Sequence, residues 1–305
     1  MRIGARILRA ALAAATTAVV AACGEDDADG TASTAGVAEA PASSSAMHGG
    51  SGSSGNSSTG AGGGGTLWHP AIGTTWQWQL AGLPIDTSFD VAAYDVDLFT
   101  TTDDELATLH ADGRKVICYF DAGSWEDSRP DAADFPAAVK GNPLDPPFQD
   151  ELWLDVRRAE VRALMKLRLD LAEARGCDGV EPDNVDGYAN DNGFALTAAN
   201  QLDYNRFIAG EAHARALSVG LKNDVDQLAD LEPDFDWALN EECVEHKECA
   251  HYRDNFLVAQ KAVFHAEYVD QSQLARVCAV TKPLGLSTLI KSKSMELDAF
   301  QLPCP

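Results

Sequence analysis

The sequence predicts a (β/α)8 TIM-type barrel, preceded by a signal peptide and a disordered Gly/Ser linker. Three observations lead there. Short apolar runs recur eight times, each followed by polar loop residues and most of them then by a stretch with helical spacing. The span that carries them, Leu67 to Pro305, is 239 residues, which suits a single barrel. Acidic residues gather at the C-terminal ends of the runs, where such barrels carry their chemistry.

The N-terminal elements are read from charge and side-chain size. Arg2, Arg6 and Arg9 precede an uncharged run from Ala10 to Val20, and Val20-Ala21-Ala22-Cys23 then reads as a lipoprotein-type cleavage site. Residues 1–22 are expected to form a removable signal peptide, too short to be an ordinary membrane span. Cys23 is the expected lipidation site and membrane anchor of an exported bacterial protein at the cell envelope or extracellular face. Residues 23–66 are almost all Gly, Ser, Ala and Thr with a few acids. Such a composition buries too little apolar surface to offset its ordering entropy, so a flexible tether is expected. Residues 67–305 form the expected barrel.

Its predicted strands are Thr75–Leu80, Val91–Leu98, Lys115–Phe120, Gly179–Asp183, Ser218–Asn223, Trp237–Glu241, Ala262–Tyr268 and Ser287–Ile290. Helical spacing is read over Asp104–Ala111, Arg157–Arg175, Ala198–Ala216 and Gln271–Val280. The second is the clearest: Val161, Leu164, Met165, Leu167, Leu169 and Leu171 make its expected buried side and Gly176 its stop. A doubly wound open sheet is the alternative, but no Gly-rich phosphate loop follows the first strand.

Charge and cysteine count narrow the partners. The chain carries a formal charge of −24, and loss of the three signal arginines makes the mature form −27. An acidic surface repels nucleic acid and attracts a polycation, although acidity also serves mere solubility. Apart from Cys23, six cysteines remain in a chain addressed to an oxidising compartment, which predicts disulfides. Cys243 with Cys249 would close a small loop, Cys278 with Cys304 would tie down the C-terminus, and Cys118 is left for Cys177. No metal or other cofactor is expected, since there is no paired C-x-x-C and the histidines are scattered; a monomer is expected.

The predicted strand ends read Cys118-Tyr119-Phe120-Asp121, Asp178-Gly179-Val180-Glu181-Pro182-Asp183-Asn184, Leu221-Lys222-Asn223-Asp224, Asn240-Glu241-Glu242 and Ala266-Glu267-Tyr268. Glycoside hydrolysis needs one carboxylic acid to protonate the leaving oxygen and a second carboxylate to attack or to activate water. Aromatic rings supply flat apolar faces for sugars, and Trp76, Trp78, Trp125, Trp153, Tyr119, Tyr188 and Tyr268 lie at or beside strand ends. Trp237 opens its strand and is assigned to packing. Nucleophilic serine chemistry finds no G-x-S-x-G elbow.

Taken together with Val116-Ile117, Gly123, Glu126, Arg129 and Trp153-Leu154-Asp155, these strings resemble glycoside hydrolase family 114, the endo-α-1,4-polygalactosaminidases, from about Trp76 to about Ile290. The resemblance implies retaining cleavage of α-1,4-linked galactosamine polymers, a cationic amino-sugar polysaccharide. It implies Asp183 as nucleophile and Glu241 as acid/base. Glu181 shares a strand face with Asp183, and Glu242 adjoins Glu241, so each is an alternative. Asp121, Tyr119, Asp155, Lys222, Asn223, Glu267, Tyr268 and Trp76 are expected to line the sugar sites with Glu181 and Glu242. Asp121 stands where the family pattern leads one to expect a small residue. A non-catalytic cell-surface protein that binds the same polysaccharide, or a structural spacer, would not need two convergent carboxylates.

The anchor is directly testable. Cys23→Ala should release the protein from the membrane fraction or block its processing, as followed by fractionation and immunoblotting; unchanged membrane attachment would contradict the lipidation reading.

Overall fold

The computed structural model of the protein describes residues 67–305. The expected signal peptide 1–22, the lipidation site Cys23 and the tether 23–66 lie outside the described residues. Eight parallel strands curl into one TIM-like sheet in chain order: β1 (Trp76–Gln79), β2 (Ala93–Asp97), β3 (Lys115–Asp121), β4 (Gly179–Asp183), β5 (Ser218–Lys222), β6 (Trp237–Glu241), β7 (Val263–Tyr268) and β8 (Ser287–Lys291). Leu302–Pro303 adds a short antiparallel strand beside β8. Among the described residues no backbone ladder joins β1 to β8. Side chains span the seam instead: Trp76 Nε1 donates to the Ser287 carbonyl at 2.9 Å and Lys291 Nζ to the Trp78 carbonyl at 2.8 Å.

Alternation along each strand sorts the core into two layers. Trp76, Trp78, Ile117, Tyr119, Trp237, Leu239, Phe264 and Tyr268 pack on the inner face of the curl. Residues of the opposite parity, such as Tyr94, Val116, Cys118, Val180, Leu221 and Val263, belong to the larger cluster under the helices. The inner face is crowded enough to dictate a glycine: a Cβ on Gly220 would fall 2.3 Å from the Trp237 ring. That ring is fixed in turn by its Nε1 bond to Ser218 Oγ at 3.0 Å, so Trp237 is a packing residue.

Helix α1 (Asp103–Ala111) opens on a capping box in which Thr102 and Glu105 satisfy each other's orphan backbone donors, and α3 (Ala198–His213) repeats the device with Thr197 and Asn200. Helix α2 (Ala159–Ala174) buries Val161, Leu164, Met165, Arg168, Leu169 and Ala172. Leu167 and Leu171, expected on that side, are 61% and 37% exposed. The 3.6-residue period places 161, 165, 168 and 172 on one stripe and turns 167 and 171 away from it. Gly176, at φ +76°, takes the left-handed position that ends the helix.

Two regions depart from a regular strand and helix alternation. Among the described residues, the stretch between β1 and β2 has no helix, in keeping with its Gly82, Pro84, Asp86 and Ser88. A three-stranded antiparallel sheet, Ser124–Glu126, Lys140–Pro143 and Glu151–Leu154, intervenes between β3 and α2.

All six cysteines of the described span are paired as Cys118–Cys177, Cys243–Cys249 and Cys278–Cys304, separated by 59, 6 and 26 residues. The first closes the longest loop and should contribute about 4 kcal/mol by restricting the unfolded chain. A Cys118→Ala/Cys177→Ala double variant should therefore melt about 10 °C lower by scanning calorimetry. An unchanged melting temperature would show that this bridge contributes nothing to stability.

Candidate active site

The parity that builds the inner apolar face also sends polar residues inward near the C-terminal ends of the strands. On β4 the inward positions after Gly179 are Glu181 and Asp183, on β5 the last is Lys222, and on β6 it is Glu241. These meet at a single cation. Lys222 Nζ lies 2.5 Å from Glu181 Oε1, 3.1 Å from Asp183 Oδ1 and 3.6 Å from Glu241 Oε2. All four side chains are no more than 3% exposed. Burial works against the Lys222 charge, but the carboxylates of Asp183, Glu181 and Glu241 outweigh it and hold its pKa well above the usual lysine value.

Neutral donors complete each carboxylate. Trp78 Nε1 donates to Glu181 Oε2 at 3.1 Å, and the indole ring lies 4.8 Å from Lys222 Nζ. The Tyr119 hydroxyl is 3.2 Å from Asp183 Oδ2 and 3.3 Å from Asp121 Oδ2, with one proton to give to either. Tyr268 donates a short hydrogen bond to Glu241 Oε1, and Asn223 Nδ2 reaches Glu241 Oε2 at 3.3 Å. The residues just after β4, β5 and β6, namely Asn184, Asn223 and Glu242, all have left-handed backbone, at φ 57°, 46° and 63°. Three neighbouring strand ends thus turn sharply right behind the carboxylates, a costly conformation for a residue such as glutamate.

Around this core the carboxyl groups are forced toward neutrality. Burial raises Glu241 to about 7, aided by the Asp183 charge and opposed by Lys222 and the Tyr268 bond. Asp121 is raised to about 7 by burial and by the charges of Glu126 and Asp183, although Asn184 Nδ2 donates to it at 2.6 Å. Asp186 rises to about 6 through burial and Asp183, and Asp224 to about 8 through burial and Asp186.

Of the residues singled out in the sequence, Asp183, Glu241, Glu181, Lys222, Asn223, Tyr119, Asp121 and Tyr268 come together here. Four others lie outside the contacts of Lys222. Glu267 has the outward parity of β7, where its Oε1 accepts from the Val244 amide at 2.6 Å beside His265. Asp155 is held by Arg157 through bonds of 2.7 and 2.9 Å. Trp76 packs at the N-terminal end of β1 against Phe264, with ring centroids 4.8 Å apart. Glu242 faces His246 at 3.8 Å.

Sequence reasoning passed over Asp95, Arg168 and the role of Trp78. Asp95 was legible, because Tyr94 and Val96 must face the helices and so turn Asp95 inward. Buried Arg168, which holds Asp131 in a two-pronged pair and donates to the Asp121 carbonyl at 2.5 Å, sits in an apolar helix row that gave no warning.

Among the described residues, two groups of side chains have metal-ligand spacing. Cys243, Cys249 and His265 form one, but the two sulfurs are bonded to each other. Asp121, Glu126 and Glu151 form the other, with Glu126 already paired to Arg129 and Glu151 accepting from Ser124.

A cluster of buried carboxylates around one lysine at the C-terminal ends of parallel strands is suited to acid/base and nucleophilic work on an acetal. Residues 57–305 match the model of glycoside-hydrolase family GH114. The chain belongs to that family. It is a glycoside hydrolase. Among solved structures this GH114 chain is similar to Aspergillus fumigatus Ega3, solved in complex with galactosamine. The two are 41% identical, with 79% of this chain and 98% of that one covered and a TM-score of 0.74. It is also similar to the glycoside hydrolase domain of PelA from Pseudomonas aeruginosa, at 12% identity over 75% and 97% of the two chains and a TM-score of 0.60, a likeness of fold alone. No functionally curated protein matches the sequence significantly.

The raised carboxyls of this GH114 site give its stability a definite pH dependence. Asp121, Asp186, Asp224 and Glu241 titrate higher in the folded protein, at about 7, 6, 8 and 7, than the roughly 4 to 4.5 of an unfolded chain. Between about pH 5 and 7 the folded state therefore binds more protons, and stability falls as pH rises through that window. Carboxylates with lowered values, such as Asp155 and Glu105, titrate below it. Lys291, pushed down to about 7 by burial, acts in the opposite sense only above pH 7. Calorimetry should give a higher melting temperature at pH 5 than at pH 7; the reverse order would contradict this proton inventory.

Proposed function

We propose that this chain is a retaining, endo-acting hydrolase of α-1,4-linked, galactosamine-containing polysaccharide, working at the mouth of a (β/α)8 barrel with Asp183 as nucleophile and Glu241 as acid/base. The observation that carries the assignment is the shared lysine. Two carboxylate oxygens at 3.1 and 3.6 Å from one ammonium cannot be more than about 7 Å apart. That is compatible with the roughly 5–5.5 Å of a retaining pair.

The chemistry follows from the surroundings. Glu241, neutral below about pH 7, protonates the leaving oxygen while Asp183, ion-paired with Lys222 and hydrogen-bonded by Tyr119, attacks the anomeric carbon to form a glycosyl ester. The resulting Glu241 carboxylate then takes a proton from water, which opens the ester with a second inversion. Glu181 and Lys222 stay in place as a fixed ion pair.

The galactosamine bound by Ega3 and this chain's charge of −24 both support a cationic amino-sugar substrate. In this reading the mature enzyme works as a monomer at the cell envelope, tethered by a lipid on Cys23.

Asp183→Ala and Glu241→Ala should each lower kcat on an α-1,4-galactosamine polymer by about 10³-fold or more with little loss of binding. Reducing-end release measures turnover, and proton NMR of the first product should report retained configuration. The fully N-acetylated polymer, which lacks charge to be drawn in over a Debye length of about 8 Å, should be the poorer substrate. Near-parental turnover in either variant would overturn the residue assignment, and preference for the acetylated polymer would overturn the substrate.

A further inference from the structure

Asp95 takes no direct part in the chemistry above, yet it is one of the most enclosed acids in the protein. It lies on the inner face of β2 at 0% exposure. Its neighbours in the ladder, Trp78 on β1 and Ile117 on β3, are uncharged. Glu181 and Asp183 face it from β4 and Lys222 from β5. Neither of its carboxyl oxygens receives a hydrogen bond from any nitrogen or hydroxyl donor. Of the charged groups around it, the Glu181 carboxyl acts on it most strongly.

Two carboxylates buried together repel each other unless one of them carries a proton. Its owner follows from what else Glu181 does. Both Glu181 oxygens already accept donors, Lys222 Nζ on Oε1 at 2.5 Å and Trp78 Nε1 on Oε2 at 3.1 Å. Two donors converging on Glu181 favour its anion, whereas Asp95 has no donor to favour its own.

We propose that Asp95 is protonated in the resting enzyme at neutral pH, and that its hydroxyl donates to Glu181 and so acts as the positioning residue of the Glu181–Lys222 pair. Lys222 is in turn the group that meets Asp183 and Glu241, so Asp95 sets the reacting carboxylates from two side chains away. The charge balance agrees. With Asp95 neutral, the Lys222 cation faces the Glu181 and Asp183 anions, and Glu241 keeps its proton; an ionised Asp95 would add an anion with no cation to meet it. Burial, together with the Glu181 charge, drives the Asp95 pKa well above the carboxylate range.

Two variants of the full mature chain separate this from a merely structural role. Asp95→Asn keeps a donor toward Glu181 without a titrating proton, and Asp95→Leu keeps much of the shape without the donor. In infrared difference spectra at pH 7, parent minus Asp95→Asn should show the C=O stretch of a protonated carboxylic acid. A lost carboxylate band in its place overturns the proposal. In kinetics, Asp95→Asn should stay within about tenfold of the parent with its acidic limb unmoved. Asp95→Leu should lose about tenfold to a hundredfold more, the cost of a missing donor to a buried anion. Its acidic limb should move to higher pH, because Glu181 then protonates more readily. Equal displacement of that limb in both variants, or in neither, also overturns the proposal. Should Asp95→Leu fail to fold, the infrared band and Asp95→Asn decide. The kinetic consequence rests on Asp183 and Glu241 as the reacting pair and the infrared band does not, so a band present in an enzyme indifferent to Asp183→Ala would refute that pair alone.

Discussion

A lysine with only 1% of its side chain exposed is tolerable only where its charge is matched at contact distance, and Lys222 meets that condition with Glu181, Asp183 and Glu241 together. Desolvating an ammonium costs several kcal/mol, and so does desolvating each carboxylate. The cluster persists because each member is also hydrogen-bonded by something neutral, Trp78 on Glu181, Tyr119 on Asp183, Tyr268 and Asn223 on Glu241. Remove the cation and the buried Glu181 and Asp183 anions would repel one another; remove either of them and a buried charge would be left short of a partner. The arrangement leaves little freedom to the side chains that have to act, which is what acid/base and nucleophilic chemistry at one acetal carbon demands.

What brings these groups to one point is strand parity, enforced by the apolar residues below them. Trp237 and Phe264 pack edge to face at 5.2 Å, and Trp237 leaves Gly220 no room for a side chain. A slip of one residue in β5 would drive Leu221 toward the polar centre and Lys222 into the apolar layer under the helices, so core and site fix each other's register. The disulfide Cys118–Cys177 ties the middle of β3 to the segment that leads into β4. Both strands carry site residues at their far ends, Tyr119 and Asp121 on one and Glu181 and Asp183 on the other.

Much of this was legible in the sequence, for reasons that differ by element. Strand runs ending in acids were visible because buried parallel strands are nearly continuous apolar rows, and the three cysteine pairs followed from spacing and from elimination. Parity was legible too, but only where it was applied. Alternation from Ala266 through Tyr268 turns Glu267 toward the helices, while alternation from Tyr94 through Val96 turns Asp95 inward. Leu167 and Leu171 misled because leucines off the core stripe of an amphipathic helix look like leucines on it. The small sheet of residues 124–154 was not legible, since its short strands carry Gly141, Pro143 and charged residues in place of an alternating pattern.

The strand ends show where stability is exchanged for chemistry. Asn184, Asn223 and Glu242 occupy left-handed backbone directly after β4, β5 and β6. Such conformations cost of order 1–3 kcal/mol each and survive only where the surroundings over-determine them. Here the surroundings do. Asn184 Nδ2 holds Asp121, and a Cβ on Gly123 would collide with the Asn184 carbonyl at 1.8 Å. Asn223 Oδ1 accepts from the Glu241 amide at 3.0 Å, and the Asn223 carbonyl accepts from the Tyr252 hydroxyl at 3.0 Å. The turn after β5 is thereby bonded to the strand that carries the proposed acid, so relaxing Asn223 would displace Glu241 and its contact with Lys222. The strain of the loop and the placement of the acid are in this sense one feature.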